Sequence, residues 1–203
     1  MVFRRCGWLV RHGSDELCRA GRLAAVQVAK ALGATVIATA STNQKLSVAR
    51  AWGADHVLSY TETDWPSRVK ALTPAGRGVD IVFDPVGIVD ASVKCTAWNG
   101  RILVVGFAAG AIEKIALNKV LLKNIAVVGI FWGAYAVNEP DMVPKVWEAI
   151  MRLVAEGKLR PSVYDHDRFV GLESVKDALT ALATRRTWGK VVITIPPQET
   201  GRL

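Results

Sequence analysis

Residues 23–42, LAAVQVAKALGATVIATAST, set the reading of the chain. The first part is alanine-rich, with Val26, Ala29 and Leu32 on one helical stripe and Gly33 where a helix should end. Thr35-Val36-Ile37-Ala38-Thr39-Ala40 is a short β-branched run, the pattern of a strand covered on both faces. Further along, residues 43–52 predict a second helix closed by Gly53, 56–58 a short strand and 64–72 a third helix. Residues 80–84 predict a strand, 89–98 a helix, and 101–105 and 125–130 two more strands. Strands and helices alternating in this way define an α/β fold, a doubly wound parallel sheet with helices on both faces.

What precedes that stretch does not match it. In such a unit the first helix follows a strand and a glycine-rich turn, because only glycine lets the backbone come close to a phosphate. Here the turn position reads Leu17-Cys18-Arg19-Ala20-Gly21-Arg22, which is not G-x-G-x-x-G. Residues 1–22 carry five arginines against two acids and show no sustained period. Trp8-Leu9-Val10 begins a strand that Arg11-His12-Gly13 ends at once, so neither a proper first strand nor a glycine loop is expected. Beyond Pro140, residues 141–156 predict the longest helix, with Val143, Val146, Trp147, Ile150, Leu153 and Val154 on one face. Residues 159–169 read as irregular, 172–183 as an amphipathic helix and 190–195 as a last strand.

The 203 residues are 51% hydrophobic, with a mean hydropathy of +0.23, which is ample for a buried core. No apolar run approaches the ~20 residues needed to span a bilayer, so no membrane partner is expected. Three cysteines give no disulfide framework, which fits a reducing, cytoplasmic location. The net charge of +8 lacks a basic run interleaved with aromatics, so nucleic acid is not an expected partner. No metal site is expected either. Cys6 and Cys18 flank only His12, and His56 and His166 are isolated.

Seven strings in unbroken order resemble the zinc-independent quinone oxidoreductases of the medium-chain dehydrogenase/reductase superfamily. They are VQVAKALGATVIATAST (26–42), WGADHVLSY (52–60), GRGVDIVFDPVG (76–87), GRILVVGFAAG (100–110), LLKNIAVVGIFWGAY (121–135), AEGKLRP (155–161) and TWGKVVIT (187–194). The resemblance implies a Rossmann-type NADP-binding domain over residues 23–157. It also implies a return segment, 158–203, of a GroES-like catalytic domain that is otherwise missing, so strands near Val163 and at 190–195 would lack sheet partners. Residues 1–22 are then an atypical segment, expected to be an out-of-frame reading or an alternative start. Codons can be chosen for residues 14–22 such that the frame displaced by one nucleotide reads A-T-S-C-A-G-R-V-G, close to a family glycine turn.

The candidate site gathers at strand ends. NAD enzymes place an acid after the second strand to bind the ribose 2′-hydroxyl. This chain has Ser41 and Thr42 there, with Lys45 one turn into the next helix, a pattern suited to a 2′-phosphate and equally to a simple helix cap with a solvated lysine. By resemblance Lys45 and Tyr60 contact that phosphate, which implies NADPH. The resemblance also lays Asp84, Val86 and Gly87, and then Val105, Gly106 and Phe107, along the nicotinamide and its ribose. For Val105 and Phe107 plain core packing is as good a reading. Phe131 and Trp132 close the pocket or form part of a subunit contact. Cys95 reads as a core residue. No catalytic residue is visible. The implied activity is hydride transfer to a quinone or an α,β-unsaturated carbonyl, by a homodimer; a non-catalytic nucleotide-binding or dimerising fragment is the other reading.

Overall fold

The computed structural model describes residues 7–11, 18–108, 110, 112–184 and 186–197. The elements run β1 (Gly7–Arg11), β2 (Cys18–Arg19), α1 (Ala20–Ala31), β3 (Thr35–Ala40), α2 (Asn43–Ala51), β4 (His56–Ser59) and α3 (Trp65–Ala71). They continue through β5 (Val79–Asp84), α4 (Val89–Cys95), β6 (Thr96–Val104), α5 (Leu117–Lys123), β7 (Ala126–Gly129), α6 (Tyr135–Asn138) and α7 (Met142–Ala155). The last are β8 (Phe169–Val170), α8 (Val175–Ala183), β9 (Trp188–Gly189) and β10 (Ile193–Thr194). Six strands form one sheet in the order β4-β3-β1-β5-β6-β7, and every pairing is parallel. This is the doubly wound order, with the switch in direction falling between β1 and β5.

The expectation that the first strand would be missing is corrected. Gly7–Arg11 lies in the middle of the sheet, with Leu9 opposite Ile37 on one side and Val82 on the other. Leu9 and Val10 are fully buried. A central strand covered on both faces needs only a few consecutive apolar residues, and Trp8-Leu9-Val10 supplies them without any alternation to read. The Gly7 amide also donates to the Asp80 carboxylate at 2.7 Å, which fixes the strand's start against β5. The expected glycine turn falls mostly on residues 12–17, which lie outside the described residues. Of its remainder, Cys18–Arg19 is β2, and α1 begins at Ala20, three residues earlier than the sequence pattern suggests.

Strand alternation divides the core. Leu9, Ile37, Val82 and Ile102 meet Trp65, Val69 and Val93 on one face, while Val10, Val36 and Ala38 meet Val26, Ala29 and Ala49 on the other. Asp55 ties the second face together. Its carboxylate accepts from the Val36 amide at 2.7 Å and from Lys30 at 2.8 Å. Partial burial opposes its ionisation, but those bonds and the Lys30 charge outweigh it and hold the carboxyl below its usual value. On the other side Lys123 donates to the Val93, Lys94 and Thr96 carbonyls at 2.7, 3.1 and 2.8 Å, closing the end of α4. That cap cuts the predicted helix 89–98 short, and β6 begins at Thr96. Cys95 is fully buried, as its apolar surroundings in the sequence indicated.

A third cluster gathers the C-terminal segment around Leu23, with Tyr164, Phe169, Ala178, Ala181 and Trp188. The strands expected to lack partners find short ones: β10 pairs with β8, β9 with β2, and Val163 bridges to Lys190. The predicted strand 190–195 shrinks to Ile193–Thr194. Among the described residues, α7 buries none of its side chains, and Trp147 is 55% exposed. α8 turns Ala178 and Ala181 inward and leaves Leu179 outside, and Leu172, in the turn before it, is exposed as well. No helix of the described residues is long and apolar enough to cross a membrane.

Candidate functional site

Twelve residues singled out in the sequence lie at or just beyond the carboxyl ends of β3 to β7, the edge where open parallel sheets take ligands. They form two linked groups and one outlying pair. At the end of β3, Ser41 is half-buried, and Thr42 caps α2 by accepting the Lys45 amide at 3.4 Å. Lys45 is half-buried beside it, and no carboxylate occurs between residues 41 and 45. Tyr60 is held next to them, its amide donating to the Ala40 carbonyl at 3.2 Å. Its ring packs on the core cluster around Leu9 and Ile37.

The second group is organised by Asp84, which is fully buried. One carboxylate oxygen accepts from the Val86 and Gly87 amides at 2.9 and 3.0 Å, which curls the chain just after β5. The Asp84 carbonyl accepts from Val105 at 3.0 Å, and the Pro85 carbonyl from Ala108 at 3.2 Å. The turns after β5 and β6 are therefore one hydrogen-bonded unit. Gly87 has φ +85°, and a Cβ there would lie 2.7 Å from the Phe107 ring. Both facts require glycine for packing alone. Val105 and Phe107 are 37% and 48% exposed, so neither serves as core.

Phe131 and Trp132 form the outlying pair. The Ile130 amide donates to the Val104 carbonyl at 2.9 Å, which brings this segment to the same edge. Phe131 is 77% exposed, and Trp132 stacks against Tyr135 with ring centroids 5.4 Å apart.

One signal was missed in the sequence. Among the described residues, three of the buried oxygens that have no hydrogen-bond partner belong to this edge: Tyr60 Oη, Thr39 Oγ1 and the second oxygen of Asp84. Strand alternation puts Thr39 on the face of Ile37 and Asp84 on that of Val82, so all three share one side of the sheet at its carboxyl end. Buried polar atoms are normally satisfied, and a row of orphans at a ligand edge marks where donors are wanted. The hydroxyl of Thr39, in the buried part of β3, is the sequence feature that could have disclosed it. Among the described residues no group of three or more His, Cys, Asp or Glu side chains is placed to hold a metal ion.

A six-stranded parallel sheet in this order, with polar turns gathered at its carboxyl edge, defines the Rossmann class of nucleotide-binding folds. Residues 23–156 match the family model described as zinc-binding dehydrogenase, and the chain belongs to that family, within the medium-chain dehydrogenase/reductases that include the quinone oxidoreductases. It is 36% identical over 174 residues to a quinone oxidoreductase-like protein 2 homolog of Nematostella vectensis, covering 84% of this chain and 47% of that one. Quinone oxidoreductase-like protein 2 of Bos taurus is 32% identical over 176 residues, 85% of this chain and 49% of its own length. The crystal structure of Escherichia coli quinone oxidoreductase complexed with NADPH superposes with a TM-score of 0.76 at 26% identity, covering 94% of this chain and 57% of that one. The chain thus spans about half the length of the curated relatives it matches.

If Asp84 builds the double turn, Asp84→Asn should leave thermal stability within about 1 kcal/mol, since an amide oxygen still accepts both N–H groups. Asp84→Leu should cost about 3 kcal/mol in a denaturant melt, by stranding two buried donors. Equal stability of the two variants would refute the assignment.

Proposed function

We propose that this chain is the cofactor-binding part of an NADPH-dependent oxidoreductase of the quinone oxidoreductase type, with a quinone or an α,β-unsaturated carbonyl as substrate. The observation that carries the reading is the end of β3. Ser41, Thr42 and Lys45 stand where an NAD-specific site would place an acid, at the start of α2, whose free amides favour an anion. The orphaned oxygens of Thr39, Tyr60 and Asp84 support the fit of a ligand rich in hydroxyl and amide donors. The relative solved with NADPH favours the phosphorylated cofactor.

In this reading residues 23–157 hold the cofactor, and 158–203 return toward a catalytic domain. Lys45 neutralises the 2′-phosphate, and Ser41 and Thr42 offer hydroxyls to it. The Asp84 and Val105–Phe107 turns present backbone groups to the nicotinamide half, and Phe131 and Trp132 shield that half from water. The cofactor, once bound, supplies the hydride. Turnover by this chain should be low, because residues 17–22 lack the glycines that cradle a pyrophosphate. A purely nucleotide-binding or dimerising role is the second reading. It is favoured by β7, an edge strand that exposes Val127 and has exposed Leu121 and Phe131 on either side of it in the chain.

Titration by cofactor fluorescence separates these readings. NADPH should bind more tightly than NADH, and Lys45→Glu should weaken NADPH by about tenfold to a hundredfold while sparing NADH. Equal affinity for both cofactors, or none for either, would overturn the NADPH assignment. Sedimentation of the same samples should show a dimer that Val127→Lys converts to monomer; a wild-type monomer at all concentrations would remove the dimer.

A further inference from the structure

Among the described residues two charged side chains are buried, Asp84 and Arg22, and both belong to the carboxyl edge of the sheet. Asp84 builds the turn after β5. Arg22 lies in the first turn of α1 and is 3% exposed. It stands four residues before Val26 and seven before Ala29, so it heads the stripe of α1 that packs on Val10, Val36 and Ala38. α1 runs back from the carboxyl edge, and one turn before Val26 that stripe reaches the ends of β1 and β3. The start of the helix is pinned in place. Cys18 and Arg19 pair with Trp188 and Gly189, and Leu23 is buried in the third cluster.

A guanidinium is costly at this position. The first turn of α1 holds no acid, and the free amides of a helix start already make it positive. Burial removes the water that would offset this. Position 22 therefore favours an anion. A guanidinium has five donors in a fixed fork, so a bond to one neighbour leaves others for a phosphate. The strand order says where a dinucleotide needs such a charge. Thr42 and Lys45 stand at the end of β3, the Asp84 turn at the end of β5, and β1 lies between those strands. Neighbouring strands are about 4.8 Å apart, so the two groups are separated by roughly 10 Å across the end of β1. A ligand with its 2′-phosphate in the first group and its nicotinamide in the second carries its pyrophosphate over that end, where α1 begins.

We propose that Arg22 holds the pyrophosphate of the dinucleotide by charge, in the place where the backbone amides of a glycine-rich turn would hold it. Resting on the NADPH reading above, this role supplies the phosphate contact for which residues 17–22 lack the glycines. A guanidinium engages two phosphate oxygens at once, whereas a lysine acts as a point charge. Affinity for the pyrophosphate then depends on one side chain rather than on a run of backbone N–H groups, so a single substitution removes it.

The probes are adenosine 2′-monophosphate, which has the 2′-phosphate and no pyrophosphate, and 2′-phospho-ADP-ribose, which has both, each titrated calorimetrically into the full chain. The wild type should bind the second at least about tenfold more tightly than the first. Arg22→Gln should weaken the second by about tenfold or more and leave the first unchanged, which also shows that the variant folds. Arg22→Lys should recover part of the loss. Lys45→Glu should weaken both probes. Equal weakening of both probes by Arg22→Gln overturns the proposal, because it marks a purely structural residue. Unchanged or tighter binding of 2′-phospho-ADP-ribose by Arg22→Gln overturns it too, and sensitivity of both probes to Lys45→Glu then leaves the NADPH reading standing. Binding of neither probe to the wild type overturns both.

Discussion

The fold hangs on the burial of Leu9 and Val10 in the middle of the sheet. Within the sheet formed by the described residues, β1 is the only strand that joins the half containing β3 and β4 to the half containing β5, β6 and β7. Its two neighbours bond to it in parallel register, and its side chains enter both face clusters. A one-residue slip would exchange Leu9 and Val10 between those clusters and part the register on both sides together. The carboxyl ends of β3 and β5 are brought level across this strand. The two polar groups of the candidate site therefore face the same crevice only because β1 sits between them.

At that crevice the backbone is fixed before any ligand arrives. Asp84 holds the turn after β5, that turn holds the one after β6, and Gly87 exists to admit Phe107. Thr42 in the same way fixes the first turn of α2 beside Lys45. A site of this kind gains affinity from small entropy losses on binding, because its donors are already aimed. What remains costly is the trio of orphaned oxygens, which a donor-rich ligand would satisfy.

Most of this architecture was legible where the pattern is repeated. The run from residue 23 to 105 alternates helix and strand periods over whole elements, so element type and order were readable; ends slipped by a few residues. β6 began early because Lys123, distant in sequence, terminates α4. β1 was read only as a strand cut short, because three apolar residues before an arginine carry no period, and only the sheet on either side makes them a full strand. The inward faces of α7 and α8 were misjudged for a related reason. Amphipathic spacing says which side chains want cover but not whether cover exists, and Trp147, Leu172 and Leu179 stay exposed. Site residues were readable at strand ends as chemistry in place. The orphan at Thr39 was not, because satisfaction of a hydroxyl is a property of three dimensions.

The most direct test of the central claim, that the carboxyl edge binds a phosphorylated nicotinamide dinucleotide, is amide hydrogen exchange with and without NADPH. The account predicts slower exchange at Lys45, Val86, Gly87 and Phe107, with the amides of residues 162–164 unchanged. Exchange at the strand-end amides that is identical with and without saturating NADPH would contradict it.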